Sequence, residues 1–291
     1  MRGNSAIALT VDVEDYFHVE AFAGFIDRQG WERYSPRVEG NTDRLLRIFE
    51  KFDAKGTFFI LGWVAERFPD LVRRISSAGH EIGSHGYNHR MATTMTPEEF
   101  RRDVGDSKKI LEDILGSPVH GYGAPTFSIN DKTPWAYEIL LREGYRYSTS
   151  VFPVRHDRYG WPGFGLLPRE MASDGELRIW EIPMSVARVG SANIPFGGGG
   201  YLRAYPLALT KALFRFACNR GQNGVFYVHP WEIDKEQPPV IAPFLNRLRH
   251  GQGISGTEGK IEGILESFGV CRIADHLHAA MRFNTIPKVD T

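Results

Sequence analysis

The sequence has few cysteines, no net charge and no long apolar run, and each absence excludes a class of protein. Cys218 and Cys271 are the only 2 cysteines in 291 residues, which excludes a disulfide framework and suits reduced thiols. The 35 basic and 35 acidic residues cancel, so the basic surface of a nucleic-acid-binding protein is not expected. No apolar run approaches the roughly 20 residues that cross a bilayer, so no membrane span is expected.

The N-terminus adds an expectation about location. Residues 1–15 reach a strand-like apolar run without the hydrophobic region and small-residue cleavage site of a secretory leader. Together with reduced cysteines, this pattern predicts a cytoplasmic protein.

Apolar runs of strand length alternate with helical patterns along most of the chain. Strands are predicted at residues 6–11, 56–61, 80–84 and 224–228, and the predicted helices include 42–52 and 97–115. Repeated βα units predict a parallel sheet, either doubly wound or closed into a barrel. No linker or internal repeat stands out, so residues 1–291 are interpreted as one domain, with 233–291 as a C-terminal extension packed on it.

Acidic and imidazole residues follow several of the predicted strands. Active sites at the carboxyl ends of parallel strands are the rule for these folds, and residues spread over many strands favour a barrel with one mouth. Carboxylates and imidazoles together are the ligands of a hydrolytic metal ion. The residues concerned are Asp12, Glu14 and Asp15 after the first strand, His85 and His89 after the third, and His229 after the last.

The spacing within each group supports a metal site and also leaves alternatives. Asp12 and Glu14 lie on the same side of a strand, so one could bind an ion while the other accepts a proton from its water. His85 and His89 are four residues apart and flank Gly86 in a predicted strand-to-loop turn. The alternatives are a polar strand-end turn for the carboxylates and surface or hydrogen-bonded positions for the histidines.

Two further features lie near the last strand. His229 is followed by Pro230, which fixes the chain, and by Trp231, which could form a wall of a sugar-sized pocket. A satisfied core histidine is the alternative interpretation of His229. The glycines at 197–200 lack the Gly-Lys-Ser/Thr ending of a phosphate-binding loop, so a flexible loop beside the substrate is expected instead.

In this order, the motifs resemble those of the polysaccharide deacetylase family, also called NodB-homology or carbohydrate esterase family 4 proteins. The resemblance covers residues 6–232. A more specific variant resembles the deacetylases of exosortase-type exopolysaccharide gene clusters, and it consists of Asp-Val-Glu-Asp-Tyr-Phe-His at 12–18 and His-Pro-Trp-Glu at 229–232. The resemblance implies a distorted (β/α)7 barrel with the site at the C-terminal ends of its parallel strands. It also implies a metal-dependent hydrolase, with zinc as the expected divalent metal, that removes acetyl groups from N-acetylated sugars of a polysaccharide or oligosaccharide.

The same resemblance implies a role for each site residue. Asp12 is the implied catalytic base and His229 the implied general acid. The implied metal ligands are His85, His89 and either Glu14 or Asp15, which spacing alone does not separate. The residues implied on the substrate side are Pro125, Thr126, whose backbone N–H would stabilise the oxyanion, and Trp231.

Two positions depart from the family pattern. Gly123 stands where the third motif has an arginine that orients the base, and Ser148 stands where an acid of the fourth motif is expected. These departures keep two alternatives open. One is a hydrolase of small cyclic or linear amides, as in allantoinase-like relatives, and the other is an inactive carbohydrate-binding protein that keeps the barrel.

Overall fold

Strands and helices alternate along the chain. The computed structural model of the protein describes residues 7–156, 158–222 and 224–282. The strands are β1 (Ile7–Val13), β2 (Thr57–Ile60), β3 (Glu81–Ser84), β4 (Gly121–Tyr122), β5 (Tyr147–Ser148), β6 (Arg169–Asp174), β7 (Leu177–Glu181), β8 (Val186–Val189), β9 (Ala192–Pro195), β10 (Val225–Val228) and β11 (Val270–Cys271). The helices are α1 (Val38–Lys51), α2 (Gly62–Arg67), α3 (Pro69–Ser77), α4 (Pro97–Leu115), α5 (Trp135–Arg142), α6 (Gly199–Ala204), α7 (Leu207–Asn219), α8 (Phe244–Gly251), α9 (Ile254–Ser267) and α10 (Ile273–Arg282). Short 3-10 turns lie at Glu20–Phe22, Arg28–Arg33, Ala92–Thr94, Pro125–Phe127 and Pro230–Ile233.

Seven parallel strands form the main sheet in the order β10-β1-β2-β3-β4-β5-β7, and β6 pairs antiparallel with β7. The segment 182–197, which includes the antiparallel hairpin β8–β9, contacts both β5 and β10. The backbone N–H of Ile182 donates to the Ser148 carbonyl (2.8 Å), and that of Tyr227 donates to the Gly197 carbonyl (2.9 Å). The predicted α/β fold is confirmed, and this arrangement is consistent with a distorted barrel.

Strand β1 lies inside the sheet, between β10 and β2. All 7 of its residues are buried. Continuous burial of this kind is typical of parallel strands that are covered on both faces. Because Asp12 is part of β1, the sheet places its carboxylate between two other strand ends.

Local capping signals set the ends of α4, which was predicted at 97–115. The Thr96 hydroxyl accepts a hydrogen bond from the Glu99 backbone N–H (3.3 Å), and the Glu99 carboxylate accepts one from the Thr96 N–H (2.8 Å). At the other end, Gly116 has a φ of +64°, a left-handed conformation that glycine adopts without strain. The predicted bounds of this helix are confirmed.

The C-terminal part of the chain returns to the sheet. Strand β11 pairs in parallel with β1, with Val270 opposite Ile7. Helix α9 packs against the turn Pro230–Ile233 and against α7. Residues 283–291 of the predicted C-terminal extension lie outside the described residues. Within the described ranges, none of the helices has the length and apolar character needed to span a membrane.

Candidate active site

Five of the predicted site residues meet at the carboxyl edge of the main sheet. Asp12 and Glu14 lie at the end of β1, His85 and His89 follow β3, and His229 follows β10. His229 Nε2 lies 3.0 Å from Glu14 Oε1 and 3.9 Å from Asp12 Oδ2. His89 Nε2 lies 3.2 Å from Glu14 Oε2, and the His85 and His89 ring centres are 5.4 Å apart. The fold therefore brings these side chains together around Glu14.

Asp15 lies outside this cluster. Its carboxylate accepts hydrogen bonds from the backbone N–H groups of Tyr16 (2.9 Å), Arg37 (2.6 Å) and Val38 (2.9 Å), where α1 begins. Its own N–H donates to His18 Nδ1 (2.9 Å), which stabilises the same turn. Of the two carboxylates that spacing left open, the structure brings Glu14 to the histidines and places Asp15 at a helix N-terminus.

The backbone carbonyl of Gly123 orients the His85 ring. His85 Nδ1 lies 2.7 Å from the Gly123 carbonyl oxygen. Because a carbonyl can only accept, Nδ1 carries a hydrogen, and Nε2 is the ring nitrogen left for a metal ion. Metal-binding histidines are commonly oriented by such a bond at the other ring nitrogen.

His89 is held in a left-handed backbone conformation, with a φ of +50°. The Arg28 guanidinium donates to the carbonyls of Asn88 (3.0 Å) and His89 (3.1 Å). The Asp103 carboxylate accepts the Tyr87 backbone N–H (3.0 Å). A residue other than glycine in this conformation is strained, and strain held by the surrounding structure concentrates at functional sites.

The carboxylates and imidazoles set one another's charge. Burial alone would raise the pKa of Glu14, but the imidazoles of His89 and His229 hold that pKa well below its usual range. Burial raises the pKa of Asp12, although His85 and His229 oppose the shift. Burial lowers the pKa of His89 to about 4, so this ring is neutral at neutral pH. An ionised carboxylate beside a neutral imidazole is in the protonation state that metal binding requires.

A buried acid that the sequence interpretation did not assign to the site holds His229. Glu232 is fully buried, and its Oε2 lies 3.1 Å from His229 Nδ1 and accepts the His229 backbone N–H (3.0 Å). Arg203 Nε donates to Glu232 Oε1 (2.8 Å). Burial alone would lower the pKa of His229, but the carboxylates of Glu14 and Glu232 hold it well above its usual range. The available sequence signal was an acid three positions after His229, a separation that a helical turn brings together.

The absence of side chains in the glycine run 197–200 leaves space for the Glu232 carboxylate. A side-chain carbon at Gly198 would lie 2.1 Å from the Tyr227 ring, and one at Gly199 would lie 1.8 Å from Glu232 Oε2. Gly200 has nothing within 4 Å of that position. The run is therefore a closely packed start to α6, and the expected flexible loop beside the substrate is wrong.

The donor atoms of Glu14, His85 and His89 suit a divalent metal ion. Glu14 Oε2 is buried without a hydrogen-bond partner, although it lies 3.2 Å from His89 Nε2. Two ligands of one tetrahedral zinc ion, each about 2.0–2.1 Å from the metal, lie about 3.3 Å apart. One carboxylate and two imidazoles are also a ligand set of catalytic zinc sites. Within the described ranges, no group of three His, Cys, Asp or Glu side chains is close enough to complete a metal site. The fit to a metal ion therefore depends on the types of donor atom and on the distance between Glu14 Oε2 and His89 Nε2.

The two departures from the family pattern have structural counterparts. At Gly123 a side-chain carbon would lie 3.0 Å from the Phe59 ring, so a larger residue there would require the ring to shift. Ser148 Oγ donates to Ser150 Oγ (2.7 Å), and the Ser150 backbone N–H donates to the Glu181 carboxylate (2.7 Å). A buried acid thus lies beside β5, but it comes from the neighbouring strand β7.

The three residues predicted on the substrate side have different surroundings. Pro125 and Thr126 lie in the 3-10 turn shortly after Gly123, where Thr126 has a φ of +58° and the next residue one of +48°. Two consecutive left-handed residues other than glycine again indicate stored strain. Trp231 is 3% exposed, with the rings of His229 and His250 stacked against it at 5.1 and 4.3 Å. Trp231 therefore supports His229, and the open sugar-binding wall expected from the sequence is wrong because the ring is covered.

Two regions of the chain match known protein families. Residues 5–147 match the family described as polysaccharide deacetylase, and residues 149–278 match a domain of unknown function, DUF3473. A peptidoglycan deacetylase of Helicobacter pylori is 30% identical over 140 residues, which are 46% of this chain and 47% of that protein. A peptidoglycan-N-acetylglucosamine deacetylase of Bacillus cereus is 28% identical over 172 residues, 59% of this chain and 73% of that protein.

The likeness to solved structures concerns the fold. A crystal structure from Mycobacterium smegmatis, assigned as a polysaccharide deacetylase, superposes with a TM-score of 0.60 at 23% identity over 99% of this chain and 94% of that chain. The chain spans about half the length of the Helicobacter pylori relative, 47%. The two matched regions share the candidate site, because Asp12, Glu14 and the paired histidines lie in the first and His229 in the second. Residues 5–147 of the chain therefore belong to the polysaccharide deacetylase family.

Proposed function

We propose that this protein is a metal-dependent hydrolase that removes acetyl groups from N-acetylated sugars of a polysaccharide or oligosaccharide. The observation that carries the proposal is the convergence of Asp12, Glu14, His85, His89 and His229 from three separate strand ends. The names of the curated relatives support an N-acetylated glycan as substrate. The motif variant at 12–18 and 229–232 extends the proposal to exopolysaccharide biosynthesis, and a cytoplasmic location stays a prediction.

Glu14, His85 and His89 are the proposed metal ligands, and zinc is the proposed metal. When bound, such an ion polarises the acetyl carbonyl and lowers the pKa of a water molecule. The bond from His85 Nδ1 to the Gly123 carbonyl keeps Nε2 free for coordination. Glu14 contributes a negative charge, since the neighbouring imidazoles keep its pKa low.

Asp12 is the proposed general base. Its carboxylate lies 3.9 Å from His229 Nε2, a separation wider than a hydrogen bond, and its side chain is 11% exposed. A water molecule between the two groups could therefore give its proton to Asp12. Burial raises the pKa of this carboxyl and so strengthens it as a proton acceptor.

His229 is the proposed general acid for the departing sugar amine. The Glu232 carboxylate, itself paired with Arg203, lies against His229 Nδ1 and stabilises the protonated ring. Proton donation from Nε2 makes the amine a better leaving group, because an amide nitrogen leaves slowly without a proton. The backbone N–H of Thr126 is the proposed donor to the oxyanion, positioned by the strained turn that follows the His85 contact.

Replacing the base tests this assignment. In Asp12→Asn, acetate release from N-acetylglucosamine oligomers should fall by about 10²- to 10⁴-fold, while the metal content stays at the wild-type level. Asp131→Asn, at an exposed position, is the matched control and should keep full activity. Turnover at the wild-type rate in Asp12→Asn would defeat the role of Asp12.

The substrate class is tested on the wild-type protein. Acetate release from the sugar oligomers together with no hydrolysis of small cyclic or linear amides is the expected result. Amide hydrolysis alone would favour the allantoinase-like alternative. Glycan binding without acetate release, on metal-loaded protein, would favour the inactive carbohydrate-binding alternative.

A further inference from the structure

Helix α8 carries its large apolar side chains on the outside of the molecule. Phe244 is 67% exposed, Leu245 62% and Leu248 51%, and no residue of α8 is buried. Ile241, shortly before the helix, is 95% exposed. Exposed apolar side chains grouped in this way commonly mark an interaction surface.

Two arginines flank the apolar side chains of α8. At about 100° per residue, Phe244, Leu245 and Leu248 fall within an arc of about 100° on the helix surface. On the same projection, Arg247 and Arg249 lie on opposite sides of that arc. Both are exposed, and the structure gives their side chains no ion pair within the described ranges. We call these five residues, with Ile241, the α8 face.

The inner side of α8 fixes this orientation. Asn246 Nδ2 donates to the Ala21 carbonyl (2.7 Å), and His250 Nε2 lies 2.7 Å from Gln237 Oε1. The His250 ring also stacks on Trp231, which in turn stacks on His229. The polar residues of α8 thus hold the helix against the wall of the candidate site and direct the α8 face outward.

A mostly apolar cavity of about 470 Å³ opens beside this helix. Its lining includes the apolar residues Phe22, Val240 and Ile254 and the charged residues Asp234, Lys235 and Arg247. An apolar space with a guanidinium next to it suits an acyl chain attached to an anionic headgroup.

We propose that the α8 face binds the surface of an anionic phospholipid membrane. An apolar stripe with cationic side chains on both sides is the pattern of helices that lie in the plane of a bilayer interface. The apolar side chains enter the headgroup region, while Arg247 and Arg249 reach the phosphates. A protein partner is the less favoured occupant, because α8 contains no acidic residue and, within the described ranges, Arg247 and Arg249 have no ion-pair partner. Bound in this way, the chain would hold the candidate site beside the membrane.

Vesicle flotation tests the proposal on the full chain. The probes are vesicles of phosphatidylcholine alone and of phosphatidylcholine with 30 mol% phosphatidylglycerol. The wild type should float with the anionic vesicles and bind the neutral ones at least tenfold more weakly. Phe244→Ser with Leu248→Ser should lower anionic-vesicle binding at least tenfold. Arg247→Gln with Arg249→Gln should lower it by roughly 25-fold, about fivefold for each arginine.

Matched controls remove exposed apolar side chains elsewhere. Val189→Ser and Leu209→Ser, at positions 52% and 44% exposed, should leave vesicle binding unchanged. No flotation of the wild type, equal binding to both vesicle types, or equal loss in the control variants would overturn the proposal. A concentration-dependent dimer that Phe244→Ser with Leu248→Ser abolishes, without any flotation, would assign the face to a second copy of the chain instead.

Discussion

Replacing Gly199 by alanine should disable the site without removing any of its polar groups. The new methyl group would lie 1.8 Å from Glu232 Oε2 and 2.5 Å from Oε1, so the carboxylate must move. Glu232 cannot move freely, because it is fully buried and is held by Arg203 at 2.8 Å. The backbone at Gly199 is helical and accepts an alanine, so the expected effect comes from the collision alone.

The expected loss follows from the bond that the collision removes. Glu232 Oε2 accepts a hydrogen bond from the His229 backbone N–H (3.0 Å) and pairs with His229 Nδ1 at 3.1 Å, and a hydrogen bond to a charged group contributes about 1.5–3 kcal/mol. At about 1.4 kcal/mol for each factor of ten, kcat/KM for acetate release should fall by about 10- to 150-fold. The measurement is acetate release from N-acetylglucosamine oligomers at matched concentrations of folded protein.

Gly200→Ala is the control, since nothing lies within 4 Å of its new carbon and alanine favours the helix. Glu232→Gln should reproduce the loss, and Gly199→Ala added to it should cost little more, because both changes act on one contact. A folded Gly199→Ala protein as active as Gly200→Ala would refute the role given to Glu232.

Three further outcomes are expected. Glu14→Gln should lower bound zinc at least tenfold. Asp15→Asn should keep the zinc and lose about 1–3 kcal/mol of unfolding free energy, because the amide nitrogen of asparagine cannot accept and at least one of the three backbone N–H groups that bond Asp15 loses its acceptor. Metal analysis and urea unfolding of both variants decide this, and the reverse pattern would assign the metal to Asp15. Burial raises the pKa of Glu181 from 4.5 to about 7, so the folded protein keeps a proton that the unfolded chain releases as the pH rises from 4.5 to 7. The free energy of unfolding should therefore fall by up to about 3 kcal/mol across that range, and Glu181→Gln should remove this part of the pH dependence. The measurement is unfolding of both proteins at pH 5 and pH 8. The same change in unfolding free energy between the two pH values in the wild type and the variant would contradict the prediction. Removing divalent ions with a chelator should abolish acetate release and added zinc should restore it, and full activity after complete removal would exclude metal dependence.

The sequence predicted the elements best where local chemistry sets them. The ends of α4 follow from Thr96, Pro97 and Gly116, which act on their own neighbours. The convergence of Asp12 with the histidines was also predictable, because parallel strands present their carboxyl ends at one edge.

Other features depended on contacts that spacing cannot show. Strand β1 ends at Val13, so period-two alternation stops before Glu14 and Asp15. Asp15 binds the backbone of Arg37, 22 residues away, and this contact separates the two acids. Trp231 was misjudged for a similar reason, since its cover includes His250 from α8.

The pairing of β10 with β1 joins the two matched regions of the chain in one sheet. Strand β10 comes from the second region and pairs along β1 of the first, with Val228 opposite Val11. The proposed proton acceptor Asp12 and proton donor His229 are therefore encoded in different halves of the sequence. If it were expressed alone, the first half would lack the proposed proton donor and would leave the edge of β1 that pairs with β10 without a partner strand. The second half alone would carry the proposed proton donor without the proposed base and metal ligands. On the proposed roles, neither half would be active without the other.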